Sequence, residues 1–156
     1  QKYDSDYDST CNYYRWKMTV SDKDLSSSFD SKISDVGIIQ NIYVRKRVSG
    51  GAAVSVVVEG DKNTVTLDSE SLIRQAFGNA AVTLETNGGT VNTPYLPSTF
   101  CIFESQEKDG EKYFVITGGG FGHGIGMSQN AVNAMTKRGM SYKDILEFFY
   151  PGTKVA

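Results

Sequence analysis

Residues 36–67 read VGIIQNIYVRKRVSGGAAVSVVVEGDKNTVTL, and this stretch decides the fold class. Residues 36–48 and 52–59 are two runs rich in β-branched side chains, joined by Ser49-Gly50-Gly51, which is hairpin chemistry. Val54, Val56 and Val58 line one apolar face of the second run. Gly60-Asp61-Lys62-Asn63 is a further turn into a strand over 64–67, so the stretch predicts three antiparallel strands in a meander.

Working outward, the same logic extends in both directions. Upstream, Tyr14, Trp16, Met18 and Val20 alternate with Arg15, Lys17 and Thr19, the period of a half-buried strand. Ser21 then stands as N-cap, with Asp24 three residues on, of a short helix that stops near Asp30 or Ser31. Downstream, Asp68 is read as the cap of a helix over 69–77 that buries Leu72, Ile73 and Ala76, with Gly78 as its left-handed stop. Residues 82–86 lead into the hairpin turn Asn87-Gly88-Gly89. Pro94 and Pro97 then resist regular structure, and 100–104 and 112–117 pair around the turn at 107–110. Two helices close the chain: 128–138, ending on Gly139, and one opened by Ser141 and Asp144 and closed by Pro151-Gly152. The fold class is therefore α+β, a strand-rich antiparallel core with short helices and a helical C-terminus.

The chain has 156 residues, the length of a single domain, and its first ten residues read as a flexible, polar lead. A net charge of −2 supplies no basic field, and the cluster Arg45-Lys46-Arg47 reads as a solvated strand face, so nucleic acid is not the expected partner. Cys11 and Cys101 match no metal-ligand spacing, and a disulfide between them is neither required nor excluded. No metal and no cofactor is expected. No apolar run approaches the roughly 18 residues of a membrane helix. The polar start without an initiator methionine reads as a trimmed piece of something longer.

The chemistry concentrates in residues 118–129, GGGFGHGIGMSQ, with six glycines in nine positions and the protein's only histidine. No register satisfies G-x-G-x-x-G, and no Gly-Lys-Ser/Thr tail follows, so the nucleotide-phosphate patterns fail. A G-x-S-x-G elbow is also missing around Ser128. Two readings of His123 remain. It either sits at the rim of a cleft, with Ser128 and Gln129 orienting a hydroxylated substrate, or is a hydrogen-bonded core residue locking a glycine-rich crossing.

Residues 118–155 closely resemble the C-terminal signature of the stage II sporulation protein D family, which includes the amidase-enhancer proteins. The signature runs from a glycine, aromatic, Gly-His-Gly core through Gly-Met-Ser-Gln and a helix to a Ser-Tyr, Ile-Leu and Pro-Gly-Thr ending. Here Phe121 fills the aromatic slot, and Asn130 follows Gln129 where the family often has Trp. Upstream, Tyr13-Tyr14-Arg15-Trp16-Lys17-Met18-Thr19-Val20 resembles the family's aromatic-Arg-Trp start of a strand. Leu96-Pro97-Ser98-Thr99-Phe100 resembles its Leu-Arg-Ser-Thr-Phe segment, with Pro97 in place of arginine.

The resemblance implies peptidoglycan glycan strands as substrate and an extracytoplasmic location, secreted or anchored through a segment absent from this chain. It also implies a cell-wall amidase or other sporulation proteins as partners. Its sporulation members cut peptide-stripped glycan as lytic transglycosylases, leaving a 1,6-anhydromuramic end, for which one carboxylic acid can suffice. The family's catalytic glutamate lies in an N-terminal segment with no counterpart here. Glu70 and Glu147 sit on amphipathic helices and Glu104 ends a strand, so no residue of this chain is assigned as catalytic. His123, Ser128, Gln129, Gly122 and Gly124 are assigned to substrate binding. The expected role is one wall of a glycan cleft, silent by itself. The rivals are a non-catalytic amidase-enhancing or peptidoglycan-binding module, and a half-domain whose glycines merely allow close packing.

Overall fold

A computed structural model describes residues 6–155, the side chains of 79–82 excepted. It bears out the α+β class. Among the described residues there are eight strands and four α-helices, preceded by a short 3-10 helix (Asn12–Tyr14), in the order β1 (Trp16–Ser21), α1 (Asp22–Lys32), β2 (Ile39–Arg47), β3 (Ala53–Gly60), β4 (Thr64–Leu67), α2 (Glu70–Phe77), β5 (Asn79–Thr86), β6 (Gly89–Thr93), β7 (Cys101–Lys108), β8 (Glu111–Gly118), α3 (Gln129–Lys137) and α4 (Tyr142–Phe149). The meander expected from residues 36–67 is a three-stranded sheet, β2-β3-β4. The second sheet has five strands in the order β6-β5-β1-β8-β7, every pairing antiparallel.

β1 lies at the middle of the larger sheet, and its alternation is literal: Trp16, Met18 and Val20 are buried while Lys17 and Thr19 are exposed. These three side chains join Val56 and Val58 of β3, Leu25 and Phe29 of α1, and Ile73 and Phe77 of α2 in one apolar cluster spanning both sheets. Phe77 stacks between Phe29 and Phe103, with ring centroids 6.2 and 4.8 Å away. Complete burial of a side chain this size contributes about 2 to 3 kcal/mol. Where the sheets meet, Ala53 N–H donates to Thr99 O at 2.9 Å and Arg47 Nη2 donates to Cys101 O at 2.7 Å.

Several local expectations are corrected. The cap of α2 is Ser69, whose Oγ accepts from Leu72 N–H at 3.2 Å, because Asp68 is taken by a 2.6 Å bond from Ser55 Oγ. Gly78 has φ −72°, not a left-handed value. It is glycine for space, since a Cβ there would lie 1.9 Å from Tyr95 Cα. The β7–β8 turn is tighter than read, with only Asp109 and Gly110 between the strands, both at positive φ (54° and 77°). α1 runs on to Lys32.

The flexible lead read over residues 1–10 falls in part, at 1–5, outside the described residues. Residues 6–10 form turns, with Cys11 N–H donating to Asp8 O at 2.9 Å. Tyr7 reaches the C-terminal helices, its ring 5.8 Å edge-on from Phe148 and its hydroxyl 3.4 Å from Met140 Sδ. No helix among the described residues is long and apolar enough to cross a membrane.

Candidate functional site

The glycine segment leaves β8 at Gly118 and reaches α3 at Gln129, and it is laced to the body of the fold. Gly119 N–H donates to Phe100 O at 3.0 Å, Gly120 N–H to Tyr13 O at 2.8 Å, and Gly122 N–H to Pro97 O at 2.8 Å. Ser98 Oγ donates to Gly119 O at 2.7 Å and Trp16 Nε1 to Gly120 O at 3.1 Å. The segments that carried the upstream resemblance, 13–20 and 96–100, thus include the residues that hold the loop.

The glycines serve two different needs. Gly120, Gly122, Gly124 and Gly126 all have positive φ, 79°, 115°, 72° and 79°. Every second residue therefore adopts a conformation that L side chains avoid, and the intervening Phe121, His123, Ile125 and Met127 are carried on that repeating frame. Gly118 is glycine because a Cβ would lie 2.2 Å from the buried Trp16 indole.

His123 is exposed, so of its two readings the core lock is not the one observed. Its Nδ1 accepts the Ile125 N–H at 3.0 Å, which leaves Nε2–H as the outward donor of the neutral ring. Ser128 is the N-cap of α3, its Oγ accepting from Ala131 N–H at 3.2 Å. His123, Ser128, Gln129, Gly122 and Gly124 all line one cavity of about 460 Å3, together with Phe121 and Asn130. The five residues singled out from the sequence are therefore brought together.

Among the described residues, no carboxylate lines that cavity. Glu70 is paired with Arg74 at 3.0 Å. Glu147 accepts from Lys154 at 2.8 Å, and that bond, with the Val155 N–H, holds its carboxyl below the usual range. Glu104 lies exposed on β7. Among the described residues, no group of three or more His, Cys, Asp or Glu side chains could hold a metal ion. Cys11 and Cys101 are both free thiols.

Sequence reasoning missed the aromatic rib beside the cavity. Phe121 is 57 % exposed, yet its ring packs 4.8 Å from Tyr13 with Arg74 Cζ 6.0 Å from its centroid. Adjoining the first is a second cavity of about 300 Å3 that shares Phe121, Ser128 and Asn130 with it and adds Asp8, Asn12 and Tyr13. The only signal for this in the sequence was an aromatic residue inside a glycine run.

By sequence the chain is similar to amidase-enhancer and stage II sporulation protein D proteins of bacilli: the amidase enhancer of Bacillus subtilis (strain 168) is 55 % identical over 47 residues, 30 % of this chain and 6 % of that protein. Stage II sporulation protein D of the same organism is 46 % identical over 41 residues, 26 % of this chain and 12 % of that protein. Stage II sporulation protein D of Bacillus amyloliquefaciens matches to the same extent. The matched segments are thus a small part of each relative's length. The chain belongs to the family described as Domain of unknown function (DUF8618), which matches residues 1–126.

Proposed function

We propose that this chain forms one wall of a glycan-binding cleft in an extracytoplasmic, cell-wall-acting protein, with peptide-stripped peptidoglycan strands as its ligand. The observation that carries the reading is the fixed, exposed loop, which lines a polar cavity with His123, Ser128 and Gln129. Five hydrogen bonds from its first residues to the fold hold the loop before ligand arrives, which lowers the ordering cost of binding. His123 Nε2–H and the Gln129 amide are the donors and acceptors for sugar hydroxyls and N-acetyl groups. Lytic cleavage, the activity the family resemblance implies, needs a carboxylic acid at the glycosidic oxygen. Glu70 and Glu147 are held in ion pairs and Glu104 is solvated. By this reading the chain binds and orients glycan, and none of these three glutamates is the acid.

The test is to incubate the chain with peptidoglycan stripped of stem peptides, measuring retention on the glycan and analysing soluble products by mass spectrometry. Retention is expected, weakened about tenfold by His123→Ala or Gln129→Ala, which corresponds to about 1.4 kcal/mol, and no anhydromuramic ends should appear. Release of such ends by the chain alone would overturn the silent-wall reading. Equal retention of the parent and both variants would remove the loop from the glycan contact.

A second reading is favoured by the exposed apolar side chains between Phe121 and Tyr150, with Ile125 79 %, Tyr142 64 % and Phe148 54 % accessible. Such side chains suit a protein partner, and a relative named amidase enhancer points to an amidase. Stimulation of a cell-wall amidase by a chain that fails to bind glycan would favour it.

A further inference from the structure

We propose that the cleft continues past Phe121 into a second saccharide position, and that this position takes the uncharged amino sugar of the glycan repeat rather than the muramic acid. This inference rests on the glycan reading above and assigns the register in which the strand lies.

The cavity beyond Phe121 holds about 300 Å3, at the small end of ligand-sized pockets. Its wall is built from the parts that recognise a pyranose. Phe121 and Tyr13 supply aromatic surface for the apolar C–H face of a sugar, and Phe121 is held in place by Tyr13 while more than half exposed. Asp8, Asn12 and Asn130 supply planar groups for adjacent hydroxyls: a carboxylate offers two acceptors, and an amide offers an acceptor with two donors. The Asp8 and Asn130 side chains make no hydrogen bond to another described residue, so neither is committed to holding the fold. Because Phe121, Ser128 and Asn130 line both cavities, the two adjoin at these residues, and a strand running through both would place neighbouring rings in them.

The charge of the second cavity sets the register. Among the described residues, Asp8 lines it and no lysine or arginine does. A peptide-stripped glycan alternates neutral N-acetylglucosamine with N-acetylmuramic acid, whose lactyl group ends in a free carboxylate once the stem is gone. Bringing that carboxylate against Asp8 costs like-charge repulsion, enhanced by partial desolvation, whereas the neutral unit meets only hydrogen-bond partners. The muramic unit then falls on the His123 side, whose lining among the described residues contains no acidic side chain.

Chitobiose and chitotetraose, neutral N-acetylglucosamine oligomers, are the probes, used with the whole chain. Cys11 also lines the second cavity and provides a local reporter, while Cys101 is buried. Saturating chitotetraose should slow Cys11 alkylation at least fivefold. Asp8→Ala should weaken chitotetraose and chitobiose alike, each about tenfold, because two neutral rings already span both positions, while Asp8→Asn should improve the affinity of a muramic-acid oligomer over that of the parent. Unchanged Cys11 alkylation in the unaltered protein, with chitotetraose bound, overturns the second position whatever the variants do. It leaves the glycan reading standing. A protein that binds neither chito-oligomers nor stripped glycan loses both readings. Affinity for muramic-acid oligomers that Asp8→Asn does not raise overturns the register.

Discussion

The demand for glycine along residues 118–126 divides into two physical causes that a substitution series separates. At Gly118 the backbone angle is ordinary and the obstacle is Trp16, a fully buried ring 2.2 Å from where a methyl would sit. Gly118→Ala overpacks the core and should cost about 3 kcal/mol. At Gly126 there is room, the nearest atom to an added Cβ being Tyr150 Oη at 3.5 Å, but φ is +79°. Gly126→Ala therefore carries only the left-handed penalty of about 1 kcal/mol. Urea denaturation of the two variants should show the larger shift in midpoint for Gly118→Ala. Equal shifts would mean that the loop relaxes around the added methyl and that its hydrogen bonds are not the anchor they appear in the geometry.

At the scale of elements, the meander over residues 36–67 was legible because its signals are local: β-branched runs, a Gly-Gly turn and a Gly-Asp-Lys-Asn turn lie next to one another in the chain. The start of α2 was misread for an equally definite reason. Asp68 and Ser69 are both good caps, and Ser55 on β3, a tertiary neighbour, decided between them. The five candidate residues converge because they are nearly contiguous, whereas Asp8, Asn12 and Tyr13 reach Phe121 from the opposite end of the chain, where no spacing could reveal them. Ser128 belongs to both accounts. As the N-cap of α3, Ser128→Ala should cost about 1 kcal/mol and Ser128→Thr should restore most of it. If Ser128→Ala leaves the urea midpoint unmoved while weakening glycan retention, its hydroxyl serves the ligand and not the helix.

The whole molecule depends on the seam where the two sheets share one apolar cluster, and Cys101 sits in that seam. It opens β7, is 3 % exposed, and its carbonyl accepts from Arg47 of the other sheet. Burial pushes its thiol from the ordinary 9.0 up to about 12, only partly countered by the Arg47 charge. In the unfolded chain the same thiol ionises from about pH 9, whereas the folded protein keeps its proton until about pH 12. The unfolded state therefore binds fewer protons across that window, and stability falls as pH rises. The contribution is complete below pH 9 and is lost progressively up to about 12. At 1.36 kcal/mol per pH unit the loss between pH 8 and pH 10.5 is about 2 kcal/mol. Urea unfolding of the parent and of Cys101→Ala at these two pH values measures it, since alkaline titrations elsewhere are common to both proteins and cancel. The variant starts lower, having left a small cavity, and its alkaline loss should be shallower than the parent's by that amount. Parallel losses would mean that the seam opens enough to hydrate the thiolate, so that the two sheets part locally before the chain unfolds.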